Sequence, residues 1–216
     1  VRHALAVNSL TSAYHLAFLA FDIRPGDEVI IPSYFDPAAL SALRQAGGTP
    51  VLVDLAEGSL FPSPEGVKGG ISARTRAVVA AHTFGFHAPM SELRETGVPL
   101  IEDASHAIGS ECEERPAGQS GAISVISFAP SMVITTGNGG MVLTDNSRYY
   151  SAMRELRGGP STERLGFDYT MTDFQAAMGL SQLSRLPDFI RRRREISRAY
   201  HEAIKTTPHR APYAFG

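Results

Sequence analysis

The sequence predicts an α/β fold in which a mostly parallel β-sheet is covered by helices on both faces. Short apolar segments of strand length alternate along the chain with amphipathic segments of helical spacing. This alternation is typical of parallel sheets built from right-handed crossovers. Polar residues directly follow several of the apolar segments. Because such sheets bind their ligands at the carboxyl ends of strands, the pattern also indicates a ligand cleft.

The predicted elements follow one another along the whole chain. Apolar segments predict strands at residues 4–7, 28–31, 50–54, 76–82, 99–102, 122–128 and 141–144. Helical spacing of alanine, leucine and phenylalanine predicts a first helix that follows the turn at 8–12 and runs to residue 21. Further helices are predicted at residues 37–45, from 63 onward, and at 89–96, 147–157, 171–183 and 188–204.

Individual residues mark where the helices begin and end. Ser9 or Thr11 can cap the first helix, because a hydroxyl there accepts a hydrogen bond from a free backbone N–H. Pro64 suits the first position of a helix, and the pair Gly47 and Gly48 is typical of a helix end. These signals support the helix limits independently of the apolar spacing.

Polar and aromatic residues gather where the predicted strands end. The segments are residues 8–12, 33–36, 82–86, 103–106 and 127–132. Since the carboxyl ends of parallel strands meet at one edge of a sheet, we expect these segments to lie together and to form the ligand cleft.

Charge and hydropathy exclude two classes of partner. The formal net charge is −2, whereas nucleic-acid-binding surfaces are clustered and basic. The one basic run, residues 191–194, is typical of a solvated helix face. No apolar run approaches the roughly 20 residues of a membrane helix. We therefore expect neither nucleic-acid nor membrane binding.

Size and cysteine content predict one large cytoplasmic domain. A chain of 216 residues with 43% hydrophobic content can bury a substantial core. Cys112 is the single cysteine, so there is no internal disulfide framework and the reducing cytoplasm fits best. The first residues lack the charged start and long apolar core of a signal peptide. Because the chain begins with Val1, we expect a trimmed N-terminal start.

Several motifs occur together in an order typical of one enzyme family. They are PGDEVI at 25–30, TPVLVD at 49–54, EDASHA at 102–107, GNGGMVLT at 137–144 and QAAMG at 175–179. From residue 4 to about residue 204 the chain resembles the DegT/DnrJ/EryC1/StrS family of sugar aminotransferases, which use pyridoxal phosphate (PLP). The resemblance implies the large domain of PLP-transferase fold type I over residues 1–204 and a homodimer whose sites lie between subunits. We expect residues 205–216 to be an irregular tail and the family's C-terminal small domain to be absent.

The resemblance assigns roles to residues at the strand ends. Asp103 matches the aspartate that pairs with the pyridine nitrogen of the cofactor, and His106 matches a residue that contacts the ring substituents. Ser127 matches a hydroxyl that helps to hold the phosphate. Thr11 and Ser12 lie at a strand-to-helix turn, where backbone N–H groups bind phosphate well. The alternative interpretations are a capping aspartate, a core or surface histidine and an ordinary strand-ending serine.

Two departures from the family pattern lie at the strand ends. Leu10 stands where the family has glycine, and a positive φ would penalise leucine at this turn. Asp36 occupies the position of an aromatic residue that stacks on the cofactor, unless a local shift brings Tyr34 or Phe35 into that place. Both departures predict a weakened cofactor site.

Two further departures follow in the loop before the predicted helix at 171–183. Asp168 replaces an asparagine that, in the family, reaches the phosphate of the neighbouring subunit, and Thr170 replaces an arginine. A carboxylate close to a phosphate raises the electrostatic energy of the bound state. These changes therefore weaken the phosphate side of the site.

Met132 is the decisive departure, because it stands at the position of the family's Schiff-base lysine. A thioether has no amine, so it can neither form the covalent link to PLP nor transfer a proton. Lys68 and Lys205 are the only lysines in the sequence, and neither belongs to the predicted strand-end cluster. Lysine-dependent transamination is therefore expected to be lost.

Three functional hypotheses follow from these residues. In the first, the chain is a degenerate homologue that binds a nucleotide sugar, a PLP-like anion or a partner. In the second, it holds PLP or pyridoxamine phosphate (PMP) non-covalently and acts in nucleotide-sugar or polysaccharide biosynthesis, as an aminotransferase or a lysine-independent dehydratase, with His106 as the base. In the third, the fold has no function.

Other site types have weak support in the sequence. His82 and His87 flank Gly85 without a third ligand at zinc-like spacing, so we predict no metal site. Cys112 lies between two glutamates, whose charges disfavour its thiolate and with it a catalytic role.

Overall fold

A seven-stranded sheet forms the centre of the computed structural model, which describes residues 1–112, 114–158 and 166–205. Its strands, in spatial order, are β1 (His3–Val7), β9 (Gly140–Thr144), β8 (Ile123–Ser127), β5 (Leu100–Asp103), β4 (Thr75–Ala81), β2 (Glu28–Pro32) and β3 (Thr49–Val53). The pairs β2–β3, β2–β4, β4–β5 and β5–β8 are parallel, whereas β9 lies antiparallel to both β1 and β8. The mostly parallel sheet expected from the sequence is thus confirmed.

The helices and strands agree closely with the predicted limits. The helices are α1 Leu10–Ala20, α2 Pro37–Gln45, α3 Pro64–Gly70, α4 Met90–Arg94, α5 Ser147–Arg157, α6 Asp173–Ser184 and α7 Leu186–Lys205. Strands β6 Glu111–Cys112 and β7 Arg115–Pro116 form a separate hairpin that was not predicted from the sequence.

Alternate residues of the central strands enter two different cores. Val29 and Ile31 of β2 pack with α1, α2 and α5 on one face of the sheet, whereas Ile30 between them packs with α3 and α4 on the other. This period of two is the geometry of a strand buried on both faces. Helices therefore cover both faces, as predicted.

Helix α7 continues through Lys205, one residue beyond the predicted helix end. Lys205 is therefore helical and not part of the irregular tail expected at residues 205–216. The rest of that tail, residues 206–216, lies outside the described residues. Within the described ranges, no helix combines the length and the apolar character needed to cross a bilayer.

Candidate functional site

A cavity of about 240 Å³ opens at the carboxyl ends of the parallel strands. All five of the segments predicted to form the cleft contribute at least one residue to its lining. The lining residues are Leu10, Tyr34, Phe35, Asp36, Ala81, His82, Thr83, Phe84, Asp103, Ser105, His106 and Met132. The structure thus brings together Asp103, His106 and Met132, three of the predicted site residues.

Asp103 ends β5 with its carboxylate almost fully buried. The Ser105 backbone N–H donates to Oδ1 at 2.8 Å, and the Tyr14 hydroxyl donates to Oδ2 at 2.6 Å. Burial raises the pKa of Asp103, while the hydrogen bonds from Ser105 and Tyr14 oppose that rise. Tyr14 comes from the middle of α1, and its role was not predicted from the sequence.

Replacing Tyr14 by phenylalanine is expected to destabilise the fold by about 1.5–3 kcal/mol at neutral pH, because a buried carboxylate loses a hydrogen bond. Because the pKa of Asp103 is raised in the folded state, its protonated form favours folding. The contribution of Asp103 to the free energy of unfolding is therefore fully present below the unfolded pKa, near 3.8, and is lost as pH rises through the folded pKa. The variant raises that pKa further, so the difference from the parent should grow with pH. Urea denaturation from pH 4 to 8 measures it.

The matched control for this variant is Tyr34→Phe, which removes a hydroxyl from an exposed tyrosine of the same cavity. It should leave the stability within about 0.5 kcal/mol of the parent. A Tyr14→Phe difference that stays constant across the pH range would show that the Tyr14 hydroxyl does not act on the Asp103 charge.

Glu102, next to Asp103, is fully buried and serves a structural role. Its carboxylate accepts hydrogen bonds from the backbone N–H groups of Gly118, Ser120 and Gly121, at 2.7, 2.7 and 2.8 Å. His82 Nε2 and the Ser124 hydroxyl donate to it at 2.9 and 2.8 Å. Burial raises the pKa of Glu102, but the hydrogen bonds outweigh it and lower the pKa to about 2.

His82 uses both of its ring nitrogens inside the protein. Its Nδ1 accepts a hydrogen bond from the Ala88 backbone N–H at 3.1 Å, so the proton of the neutral ring lies on Nε2 and is donated to Glu102. The ring is edge-on to His87, with centroids 5.0 Å apart. In the described part of the chain, no group of three or more His, Cys, Asp or Glu residues could hold a metal ion.

His106 lies at the mouth of the cavity and stacks on Phe84. The ring centroids are 5.7 Å apart with an interplanar angle of 5°. The Phe84 backbone N–H donates to His106 Nδ1 at 3.2 Å, which places the proton of the neutral ring on Nε2. In this arrangement His106 can donate a hydrogen bond to a ligand, whereas acting as a base requires the bond from Phe84 to break.

Leu10 begins α1 without the positive φ that would penalise a leucine at this turn. Ser9 caps the helix, and its hydroxyl accepts from the Ser12 backbone N–H at 3.1 Å. Within the described ranges, the non-glycine residues with a positive φ are Asp22, Phe84 and Glu114, so Leu10 is not among them. A first helical position has ordinary φ, and this removes the predicted penalty. The Leu10 side chain nevertheless lines the cavity.

Thr11, Ser12 and Ser127, the predicted phosphate ligands, lie near the cavity but not in its lining. The Ser12 hydroxyl donates to Asn8 Oδ1 at 2.6 Å. The Ser127 hydroxyl accepts from the Ala129 backbone N–H at 3.2 Å. Their assignment to a phosphate stays a prediction.

Asp36 caps α2 rather than presenting a stacking surface. Its Oδ1 accepts from the Ala38 backbone N–H at 2.8 Å. Phe35 packs edge-on against Tyr14 with centroids 6.0 Å apart, and Tyr34 lies 6.3 Å from the ring of Phe84. Both aromatic residues line the cavity with Asp36, so aromatic surface is retained beside the altered position.

The loop that carries Asp168 and Thr170 is tied to the start of α1. The Asn8 side chain donates to the Asp168 carbonyl at 3.0 Å, and the Asn8 backbone N–H donates to the Tyr169 carbonyl at 2.9 Å. Asp168 and Thr170 are themselves exposed. Their effect on a neighbouring subunit's site stays a prediction, as does the inertness of Cys112, whose side chain lies outside the described part.

Comparison with known proteins identifies the family. Residues 1–215 match the model of the DegT/DnrJ/EryC1/StrS aminotransferase family. The aminotransferase TlmJ from Streptoalloteichus hindustanus is 31% identical, with a TM-score of 0.92 over all of this chain and 62% of its own. DesV of S. venezuelae is 33% identical, with a TM-score of 0.88 over 95% of this chain and 58% of its own.

A third solved structure adds evidence on the fold alone. Spr1654 from Streptococcus pneumoniae, known in PLP and PMP forms, is 23% identical, with a TM-score of 0.88 over 94% of this chain and 60% of its own. The chain therefore spans about 60% of the length of these relatives. It belongs to the DegT/DnrJ/EryC1/StrS aminotransferase family, a family of PLP-dependent sugar aminotransferases of fold type I.

Proposed function

We propose that this chain is a degenerate sugar-aminotransferase homologue that does not carry out lysine-dependent transamination. The observation that carries the proposal is that Met132 lines the cavity beside Asp103 and His106. Lys68 lies in α3 and Lys205 ends α7, and neither lines this cavity. No lysine amine is therefore placed where the family's covalent link forms.

The residues present fit one end of PLP and not the other. On the ring-nitrogen side, the buried Asp103 carboxylate borders the cavity and can partner a protonated pyridine, which lets the cofactor act as an electron sink. On the phosphate side, the described lining includes no lysine or arginine. The Ser12 N–H and hydroxyl are already engaged by Ser9 and Asn8.

The lining also indicates how a sugar ligand would enter. We propose that the sugar of a nucleotide sugar, and not its phosphates, occupies the cavity, because the lining supplies carboxylates and aromatic rings and no cationic side chain among the described residues. Aromatic rings and carboxylates are suited to the apolar faces and hydroxyl groups of a sugar. The phosphates and base would then lie outside the cavity.

The purified chain is expected to transfer no amino group from glutamate to a keto sugar when PLP is supplied. Mass spectrometry of the sugar measures the transfer. The yellow absorbance of a covalently held cofactor, together with an aminated sugar product, would falsify the proposal. If an aminated product were found, its loss in the Met132→Ala variant would show that the activity arises in this cavity, because Met132 lines it.

The second candidate function is a PLP- or PMP-dependent enzyme that holds its cofactor non-covalently. The observation that favours it is the retained, buried Asp103 in the cavity lining. His106 would serve as the base after giving up its bond from Phe84. Titration with PLP and then PMP, followed by absorbance, tests this candidate, which fails if neither binds at millimolar concentration.

We also propose that the chain forms a homodimer through helix α6. This helix buries none of its residues, and Phe174, Leu180 and Leu183 are 76%, 70% and 50% exposed. Leu180 and Leu183 border an apolar groove of about 380 Å³. Exposed apolar surface of this kind is typical of an interface, and a second copy of the chain is the occupant that the family implies.

Leu180→Asp is expected to shift the dimer to a monomer, because a carboxylate would be buried in an apolar contact. Sedimentation velocity measures the change. Leu52→Asp is the matched control, since Leu52 is also exposed, at 59%, but lies on β3. A parent chain that sediments as a monomer at all concentrations would show that something other than a second copy covers this surface.

A further inference from the structure

The cavity at the strand ends has a negative lining. Asp36 and Asp103 contribute carboxylates, and the described lining includes no lysine or arginine. His82 has both ring nitrogens engaged inside the protein, because its Nδ1 accepts from Ala88 while its Nε2 donates to Glu102. His106 accepts a hydrogen bond from the Phe84 backbone N–H at its Nδ1. Among the described lining residues, no permanently charged cation faces the two acids.

Aromatic rings form one wall of this cavity. Tyr34 and Phe84 are 53% and 62% exposed, and their centroids lie 6.3 Å apart. Phe84 adopts a φ of 55°, a conformation that is unfavourable for a bulky residue. Its N–H bond to His106 and its stacking on that ring hold it in place. Contacts within the chain therefore hold Phe84 at the cavity.

Size and the remaining wall limit the ligand. The cavity volume of about 240 Å³ lies below the roughly 300–1,000 Å³ of sites for drug-sized ligands. Leu10 and Met132 supply an apolar, adaptable surface. A small ligand with methyl or methylene groups fits such a lining better than a hydrated anion does.

We propose that this cavity binds a small organic cation through its alkylammonium group. Aromatic faces attract ammonium groups, and the Asp36 carboxylate attracts the same charge. Burial raises the pKa of Asp103, and a cation beside this carboxyl group would favour its ionised form. The inference goes beyond the proposed function, because the loss of transamination alone does not specify the charge of a ligand. An amino sugar belongs to this ligand class, whereas a keto sugar does not.

Calorimetry at low ionic strength tests the charge preference, since salt screens it. The probes are choline, its neutral carbon isostere 3,3-dimethyl-1-butanol, and inorganic phosphate. Choline is expected to bind about tenfold more tightly than the isostere, and phosphate is expected not to bind. The proposal is overturned if choline does not bind, if the isostere binds equally well, or if phosphate binds more tightly than choline.

Variants locate the binding in this cavity. Asp36→Asn keeps a good helix cap but removes one charge, and Phe84→Asn removes an aromatic face while tolerating a positive φ. Each is expected to weaken choline binding several-fold. Asp22→Asn is the control, because Asp22 lies outside the cavity lining, pairs with Arg24 and also has a positive φ. Unchanged choline binding in both cavity variants would overturn the assignment.

The two proposals fail on different results. Amino transfer by the parent chain would overturn the proposed function and leave the choline measurements standing. Absence of choline binding would overturn the cation site and would leave the proposed loss of lysine-dependent transamination unaffected.

Discussion

Glu102→Gln is expected to lower the free energy of unfolding by about 3–5 kcal/mol, since it removes a buried charge whose partners stay buried. Five donors surround this carboxylate, from His82, Gly118, Ser120, Gly121 and Ser124. The glutamine amide replaces one acceptor oxygen with an N–H₂ group, which then faces backbone N–H donors. Such a clash leaves several groups unsatisfied in the interior.

Urea denaturation at pH 7 measures this loss. The matched control is Ser124→Ala, which removes one donor and leaves the carboxylate with the others. It should cost about 1.5–3 kcal/mol, the value of a single hydrogen bond to a charged group. A Glu102→Gln variant as stable as the parent would show that the surrounding loop does not depend on the carboxylate.

The same carboxylate predicts how acid acts on the fold. The pKa of Glu102 is lowered from 4.5 to about 2, so its stabilisation is present above pH 4.5 and is lost as pH falls toward 2. This pKa shift corresponds to a contribution of about 3 kcal/mol to the free energy of unfolding at neutral pH. In Glu102→Gln this part of the acid dependence should vanish, and a variant that keeps the full acid dependence of the parent would contradict the assignment.

The elements of the fold could be predicted because their signals are local. Helix α2 begins at Pro37 and ends at Gln45 as expected, since a proline at the first position and two following glycines mark its limits. The hairpin β6–β7 was missed because its strands contain two residues each, too few for any periodicity. Its existence depends on the chain around it.

The partners of the site residues could not be predicted, because they come from distant elements. Tyr14 donates a hydrogen bond to Asp103, which lies 89 positions further along the chain. The apolar spacing of α1 does not distinguish a tyrosine that only packs from one whose hydroxyl also donates a hydrogen bond. Glu102 did carry a usable signal, since a glutamate inside an apolar strand requires buried donors. The identity of those donors depends on how the loop at 118–121 folds back.

For Leu10 the predicted penalty depended on a positive φ, and the structure shows none there. Ser9 caps α1 and leaves Leu10 in ordinary helical backbone. Leu10 therefore alters the cavity through its side chain, which lines it, and not through its backbone conformation. A lysine at position 132 would still share the cavity with this leucine side chain.

Met132→Lys is expected not to restore a covalent link to PLP. The new ammonium would share the cavity with Asp36 and Asp103 and with no other described lysine or arginine. Neighbouring carboxylates favour its protonated form, which is not nucleophilic. Leu10 would still fill the side of the cavity next to the start of α1.

Treatment with PLP and borohydride, followed by intact mass spectrometry, detects any covalent adduct of this variant. The double variant Leu10→Ala with Met132→Lys separates the two causes, because it opens the cavity while the charges stay unchanged. An adduct in the double variant alone would assign the block to the leucine side chain. Full labelling of Met132→Lys itself would contradict the prediction, since it would mean that one amine was all the site had lost. The same lysine should abolish choline binding, because its ammonium group would occupy the position proposed for the cation.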